Sequence, residues 1–285
     1  MSYISRTRAP HTTCRLPDIL TERTYLEVLL RRDRLVVGLS LICVVGLAAG
    51  YIFQGAGMEM SALQMTKPMR HMGAGQYTPW TASYGITMFL MWWVMMIAMM
   101  LPSASPTILL AAALNRRSRA DTSPYGSTAM FCIGYLLAWA LFSLAAVAAQ
   151  WWLESNNHLS MHLETLGSSL TGGLLIVAGL WQLTPLKAAC LRHCRSPAEF
   201  LVHNRRPGTM GPLYMGALHG AYCLGCCWFL MGLLFVGGVM NLYWIIGLAV
   251  YVFLEKVMPM GPLLGRIAGL TLMAVGVWVI VANLR

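Results

Sequence analysis

Residues 213–236 read LYMGALHGAYCLGCCWFLMGLLFV, with no Asp, Glu, Lys or Arg. An uncharged apolar run of about 18 residues or more is long enough to cross a bilayer as an α-helix. The stretch therefore predicts a transmembrane helix, and one that carries His219, Cys223, Cys226 and Cys227. Polar or ionisable groups inside a span are costly and mark function by default. At ~100° per residue, His219, Cys223 and Cys226 share an arc of roughly 60°, and Cys227 widens it to about 100°. One helix face thus offers three or four thiol and imidazole donors, which suit Cu(I), Zn or Fe–S chemistry.

The rest of the chain repeats the pattern. Of 285 residues, 58% are hydrophobic and 11% charged, and the mean hydropathy is +0.62. Seven apolar stretches are expected to span, near 35–53, 83–101, 128–152, 167–185, 213–236, 239–257 and 263–283. The expected fold is an all-α, polytopic transmembrane helical bundle of about seven spans, over residues 35–285. Residues 1–34 form a basic arm before it. Gly237, Gly238 and Asn241 mark a tight turn between the fifth and sixth stretches. No cleavable signal peptide is expected, because the first 34 residues are polar and Arg-rich and no small-residue cleavage site follows the first apolar stretch.

The net charge is +10. If residues 1–34 are cytoplasmic, seventeen of the twenty Lys and Arg residues fall on the inner side, and only Lys67, Arg70 and Arg285 lie outside. That asymmetry predicts a cytoplasmic N-terminus, a periplasmic C-terminus and residence in a bacterial inner membrane. The basic excess then serves orientation and contact with anionic lipid rather than nucleic acid.

Eight cysteines stand at 14, 43, 132, 190, 194, 223, 226 and 227, none in an expected outer loop. A disulfide framework is unlikely to form on the reducing side, so the clustered five read as metal or redox groups. Cys43 and Cys132 read as small apolar residues in helices. Met88, Met91, Met95 and Met99 share a face about 80° wide, and Met96 and Met100 form an adjacent stripe. Helix packing accounts for such a stripe. The thioether is also a soft Cu(I) ligand, which makes Met95 and Met99 candidate metal residues. Pro102 and Pro106 are expected to end or bend this helix.

Further soft donors flank the spans. The first outer loop holds Met58, Met60, Met65, Met69, His71 and Met72, and the second holds His158, Met161 and His162. On a helix, His158 and His162 would lie one turn apart on one face. On the inner side, Cys190 and Cys194 follow the fourth span, with Lys187, Arg192 and Arg195 near enough to favour thiolates. His203 lies on the same loop. The preferred metal constellation is Cys190, Cys194, His219 and Cys223, with Cys226 and Cys227 beside it. Gly172, Gly173 and Gly179, with Gly216, Gly220 and Gly225, suit close helix contact in lipid. Trp92, Trp93, Trp151, Trp152 and Tyr243 divide between interfacial anchoring and packing. Glu255 and Lys256 read as a snorkelling pair at the inner interface.

Four pieces carry a family resemblance: Met91 through Trp92, Trp93 and Met95 to Pro102; Gln182 through Lys187, Cys190 and Cys194 to Arg195; His219 through Cys223 and Cys226 to Trp228; and Gly238 through Asn241 to Lys256. Across about residues 85–260 the chain resembles the bacterial family described as predicted metal-binding integral membrane proteins, a domain of unknown function. The resemblance implies an all-helical membrane fold and a metal site.

Three functions are weighed. The first is a Cu(I)-handling membrane protein for transport, storage or delivery to a membrane or periplasmic metalloprotein partner, with Zn or Fe as alternative ions. No nucleotide-binding loop or phosphorylated-aspartate motif is present, so transport would be passive, ion-coupled or partner-driven. The second is a thiol redox enzyme built on the Cys223–Cys226 pair, or a metal-dependent oxidase. The third is a non-catalytic subunit of a larger membrane complex. No catalytic set is read.

Overall fold

A computed structural model describes residues 16–56, 80–117, 124–156, 168–206, 208 and 210–284. Ten helices and no strand occur among the described residues: α1 Leu16–Phe53, α2 Ala82–Arg117, α3 Pro124–Ser155, α4 Ser168–Leu183, α5 Pro185–Arg195, α6 Pro197–His203, α7 Gly211–Gly232, α8 Leu234–Gly237, α9 Leu242–Val257 and α10 Gly261–Asn283. The all-helical expectation holds. Five segments are long and apolar enough to cross a membrane: 35–53, 82–115, 126–155, 211–237 and 261–283. A sixth arises if α4 and α5, bent by 64° at Thr184, count as one broken span.

The expected span at 239–257 is the 16-residue α9, shorter than the ~20 residues that usually cross a bilayer. Local sequence sets its ends. Gly238 takes φ +91°, a left-handed backbone that glycine adopts without a steric penalty. The Asn241 side chain then accepts a hydrogen bond from the Tyr243 N–H and caps the helix. At the other end Pro259 cannot continue the helical hydrogen-bond ladder.

Pro102 and Pro106 do not end the second helix, which runs on to Arg117. Proline at position 106 has no N–H to give the Pro102 carbonyl. The Ser105 hydroxyl donates to that carbonyl instead, at 2.7 Å. Just upstream, the Ser103 hydroxyl donates to the Met100 carbonyl at 2.9 Å. The Ser105 hydroxyl thus takes the place of the N–H that Pro106 lacks.

The helices associate as a layered bundle. α1 packs on α2, α2 on α3, and α3 on α7; α4 packs on α10, α5 on α7, and α9 on α2. Glycine permits the closest approaches. A Cβ at Gly216 would strike the Phe131 carbonyl, and one at Gly179 would stand 2.6 Å from the Gly269 carbonyl. A Cβ at Gly220 would stand 2.6 Å from the Ala138 methyl. Gly173, expected among these contacts, faces open space. The outward surfaces are apolar: Leu47 is 71% exposed, Leu141 69% and Trp278 69%. Trp151, Trp152 and Tyr243 are also exposed, whereas Trp92 is fully buried.

Gly216→Val should destabilise the α3–α7 pair by about 1–3 kcal/mol through overpacking. Thermal unfolding in detergent would show a lowered midpoint. An unchanged midpoint would contradict the close helix contact.

Candidate metal centre

The methionine helix buries both of its stripes. Met88, Met91, Met95, Met96, Met99, Met100 and Trp92 are all buried. At 100° per residue they cover an arc of roughly 180°, so the interior surface of α2 takes in the expected face and the adjacent stripe together. At one end of this arc, the Trp92 indole donates to Gln150 Oε1 at 2.8 Å. Gln150 Nε2 in turn lies 3.4 Å from Met88 Sδ and 2.9 Å from Glu154 Oε1. The Trp80 indole closes the chain by donating to Glu154 Oε2 at 2.8 Å.

At the other end the methionine helix meets the cysteine helix. The regular turn of α7 places His219, Cys223, Cys226 and Cys227 inside the protein, all buried. The Tyr135 hydroxyl, from α3, lies 3.2 Å from Cys223 Sγ and 3.2 Å from the Met100 carbonyl. Lys256 Nζ, from α9, donates to Cys223 Sγ at 2.9 Å and to Ser103 Oγ at 3.0 Å. The 100–103 turn of α2 therefore lies within one side chain of Cys223, and the methionine helix and the cysteine helix meet at this level.

His219 sits among rings, with centroids 5.1 Å from Phe200, 5.8 Å from Tyr135 and 6.0 Å from Phe131. Its Nδ1 is buried without a hydrogen-bond partner among the described residues. That is a costly state for a polar nitrogen and one that metal ligation would relieve. The Cys226 and Cys227 thiols both turn back to donate to the Cys223 carbonyl, at 3.0 Å each.

Cys190 and Cys194 lie on α5, which is capped by the Thr184 hydroxyl accepting from the Lys187 N–H. Cys194 interacts with Cys223 and Cys226. Cys190 packs against Gly225, where a Cβ would stand 2.7 Å from its sulfur. Stacking of His193 on Tyr222 at 4.1 Å and a bond from the Trp181 indole to the Gly225 carbonyl, 3.2 Å, hold α4 and α5 against α7. Even so, among the described residues no three His, Cys, Asp or Glu side chains stand grouped as metal ligands. Methionine thioethers are outside that set. His158, His162 and the first-loop methionines lie outside the described residues. His203 lies at the end of α6.

Two features depart from the sequence reading. Glu255 and Lys256 do not snorkel: they are 1% and 7% exposed. A buried charge has to be paired, and each has a partner. Glu255 is ion-paired with Lys187, itself 2% exposed, and Lys256 is bonded to Cys223 and Ser103. Correspondingly, the cation beside the thiols is Lys256, not Lys187. Arg195 is also committed elsewhere, donating to the Glu255 carbonyl at 3.3 Å and the Pro259 carbonyl at 3.1 Å. Tyr135, Ser103 and Lys256 were missed as site residues. The one signal that could have flagged Lys256 is an ionisable residue at the end of an apolar stretch.

An all-helical protein with a soft-donor interior and apolar outer surfaces is the class this geometry defines. The chain belongs to the PpoB2 family, described as Copper chaperone, whose match covers residues 89–279, about two thirds of the chain. The match takes in the methionine helix from Phe89 onward and the whole cysteine cluster, and leaves α1 outside. No curated protein and no solved structure matches the chain.

The buried Lys187–Glu255 pair yields a test. Lys187→Met alone should cost about 3–5 kcal/mol, because it strands a buried carboxylate. The double variant Lys187→Met/Glu255→Leu should recover most of that loss. Equal destabilisation by single and double variants in chemical unfolding would contradict the pairing.

Proposed function

We propose that this chain is an integral membrane protein that binds Cu(I) as cargo on its buried cysteine–histidine–methionine interior and passes it to a partner. Membership of a copper chaperone family supports the metal and the handling role. Five or six apolar helices with lipid-like outer surfaces support the membrane setting. The single observation that carries the reading is the convergence of the α7 donor face and the methionine helix α2 around Cys223.

Cys223 is the central ligand on this reading, with His219 the first candidate to join it through its unpartnered Nδ1. Cys194, Cys226 and Cys227 supply further thiols, and Cys190 stands behind them. Met95 and Met99 belong to the buried thioether surface that leads toward Met88 and the Glu154 end. Thiolate and thioether donors select Cu(I) over Zn by ligand softness. The topology proposed is seven spans with a cytoplasmic N-terminus and periplasmic C-terminus in a bacterial inner membrane, α9 counting as a short span. The Glu154 end then faces the periplasm, where His158 and His162 would collect the ion.

The reading is tested by metal content. Protein purified in detergent under reducing, anaerobic conditions should carry near-stoichiometric copper by mass spectrometry, and His219→Ala/Cys223→Ser should lose most of it while remaining inserted. Copper content equal to the parent would refute the site, and zinc or iron lost in the same way would overturn the choice of metal. In vesicles, Met95→Leu/Met99→Leu should slow Cu(I) passage while the cysteine site stays loaded. Unchanged passage would remove the methionine surface from the path.

A further inference from the structure

A second site lies apart from the cysteines. Between α4–α5 and the α9–α10 junction opens a cavity of about 600 Å³. Arg192, Arg195 and Arg266 line it, together with Lys187, Glu255 and Gln182. Arg192 and Arg266 are exposed, whereas Gln182 and Glu255 are buried at 6% and 1% exposure. The Lys187–Glu255 ion pair is internally neutral, so the arginines leave the cavity with a surplus of positive charge. Glu255 Oε2 and Gln182 Oε1 are buried with no hydrogen-bond partner among the described residues. Gln182 Nε2 is already engaged with the Tyr251 hydroxyl at 3.2 Å.

Two chemistries are thus demanded of one ligand. The arginines call for an anion, and their planar, multi-donor guanidinium groups match phosphate oxygens. The two unpartnered oxygens call for a hydrogen-bond donor. We infer that this cavity binds a phosphate ester with a donor-bearing arm, its phosphate on Arg192 and Arg266 and its hydroxyl or ammonium toward Glu255 and Gln182. A phospholipid headgroup such as phosphatidylglycerol and a soluble glycerol phosphate share that chemistry. Basic pockets between helices at the cytoplasmic side are suited to lipid headgroups, and the lipid source rests on the membrane reading above. The cavity does not use the cysteine cluster, so it stands whether or not the protein carries copper.

The test uses the full chain in detergent. Delipidated protein is offered phosphatidylglycerol or phosphatidylcholine vesicles, and retained lipid is measured by native mass spectrometry. sn-Glycerol 3-phosphate is titrated separately, with thermal shift as the readout. Phosphatidylglycerol should be retained preferentially, and Arg192→Gln/Arg266→Gln should reduce retention by about fivefold or more per arginine. Arg205→Gln, an exposed arginine outside the cavity lining, should have no such effect. Saturable stabilisation by glycerol phosphate, lost in the double variant, would support the same site with a soluble ligand. Equal retention of both lipids with no response to glycerol phosphate would overturn the inference, as would an Arg205→Gln loss matching the double variant. Copper content in each sample, unchanged by the cavity variants, separates this outcome from failure of the metal site.

Discussion

Charge inside an apolar bundle is the constraint on which this structure turns. Removing an ammonium or a carboxylate from water costs several kcal/mol per ion, and only close partners offset it. The bundle places three such groups, Lys187, Glu255 and Lys256, where they are at most 7% exposed. Their partners come from different helices. Lys187 on α5 pairs with Glu255 on α9, and Lys256 on α9 reaches Ser103 on α2 and Cys223 on α7. Satisfying two adjacent residues of α9 therefore fixes the mutual placement of α2, α5, α7 and α9. The same arrangement brings a sulfur, a hydroxyl and an ammonium together beside the methionine helix. The stability of the ion pair and the composition of the site are consequences of one packing solution.

Small residues make that solution sterically available. In the proposed membrane setting, lipid offers no hydrophobic drive between helices, so association depends on close van der Waals contact. Gly216 and Gly220 let α7 approach α3 near Phe131 and Tyr135, which places the Tyr135 hydroxyl within 3.2 Å of Cys223. Gly225 makes room for Cys190 on the adjoining face. Side chains at these positions would move the ligands apart as well as loosen the bundle. Methionine plays the complementary part: its unbranched thioether fills irregular gaps that remain between helices, so the wide buried arc of α2 is both packing material and a soft-donor surface.

The sequence made local and periodic features legible and left long-range partners hidden. Helical class, the apolar segments, the shared face of His219 to Cys227 and the one-turn spacing of Cys190 and Cys194 all follow from spacing along a single helix. Pro102 and Pro106 do not end their helix, and the Ser105 hydroxyl that takes up the Pro102 carbonyl is a neighbour whose bond depends on its rotamer. Glu255 and Lys256 misled because a charged pair at the end of an apolar stretch looks the same whether it faces a headgroup or a partner more than sixty residues away. Lys187 is that partner for Glu255, and Ser103, 153 residues distant, is one for Lys256. Tyr135 carried no motif at all. Its role arises because a glycine on a different helix lets its hydroxyl reach across.

The orientation of the thiols bears on how such a site would work as a carrier. Cys226 and Cys227 each already have an internal acceptor, the Cys223 carbonyl, and Cys223 is held by Lys256 and Tyr135. A donor that is hydrogen-bonded without metal loses less on releasing it than one left unsatisfied in an apolar interior. A storage protein gains from the opposite design, in which the metal-free state is poor and the ion is retained. His219 Nδ1, with no partner, is the one ligand candidate on α7 that follows the storage design. On the proposed copper-carrier reading, most of the cluster would tolerate both loaded and unloaded states, which is the physical requirement for handing an ion on rather than keeping it.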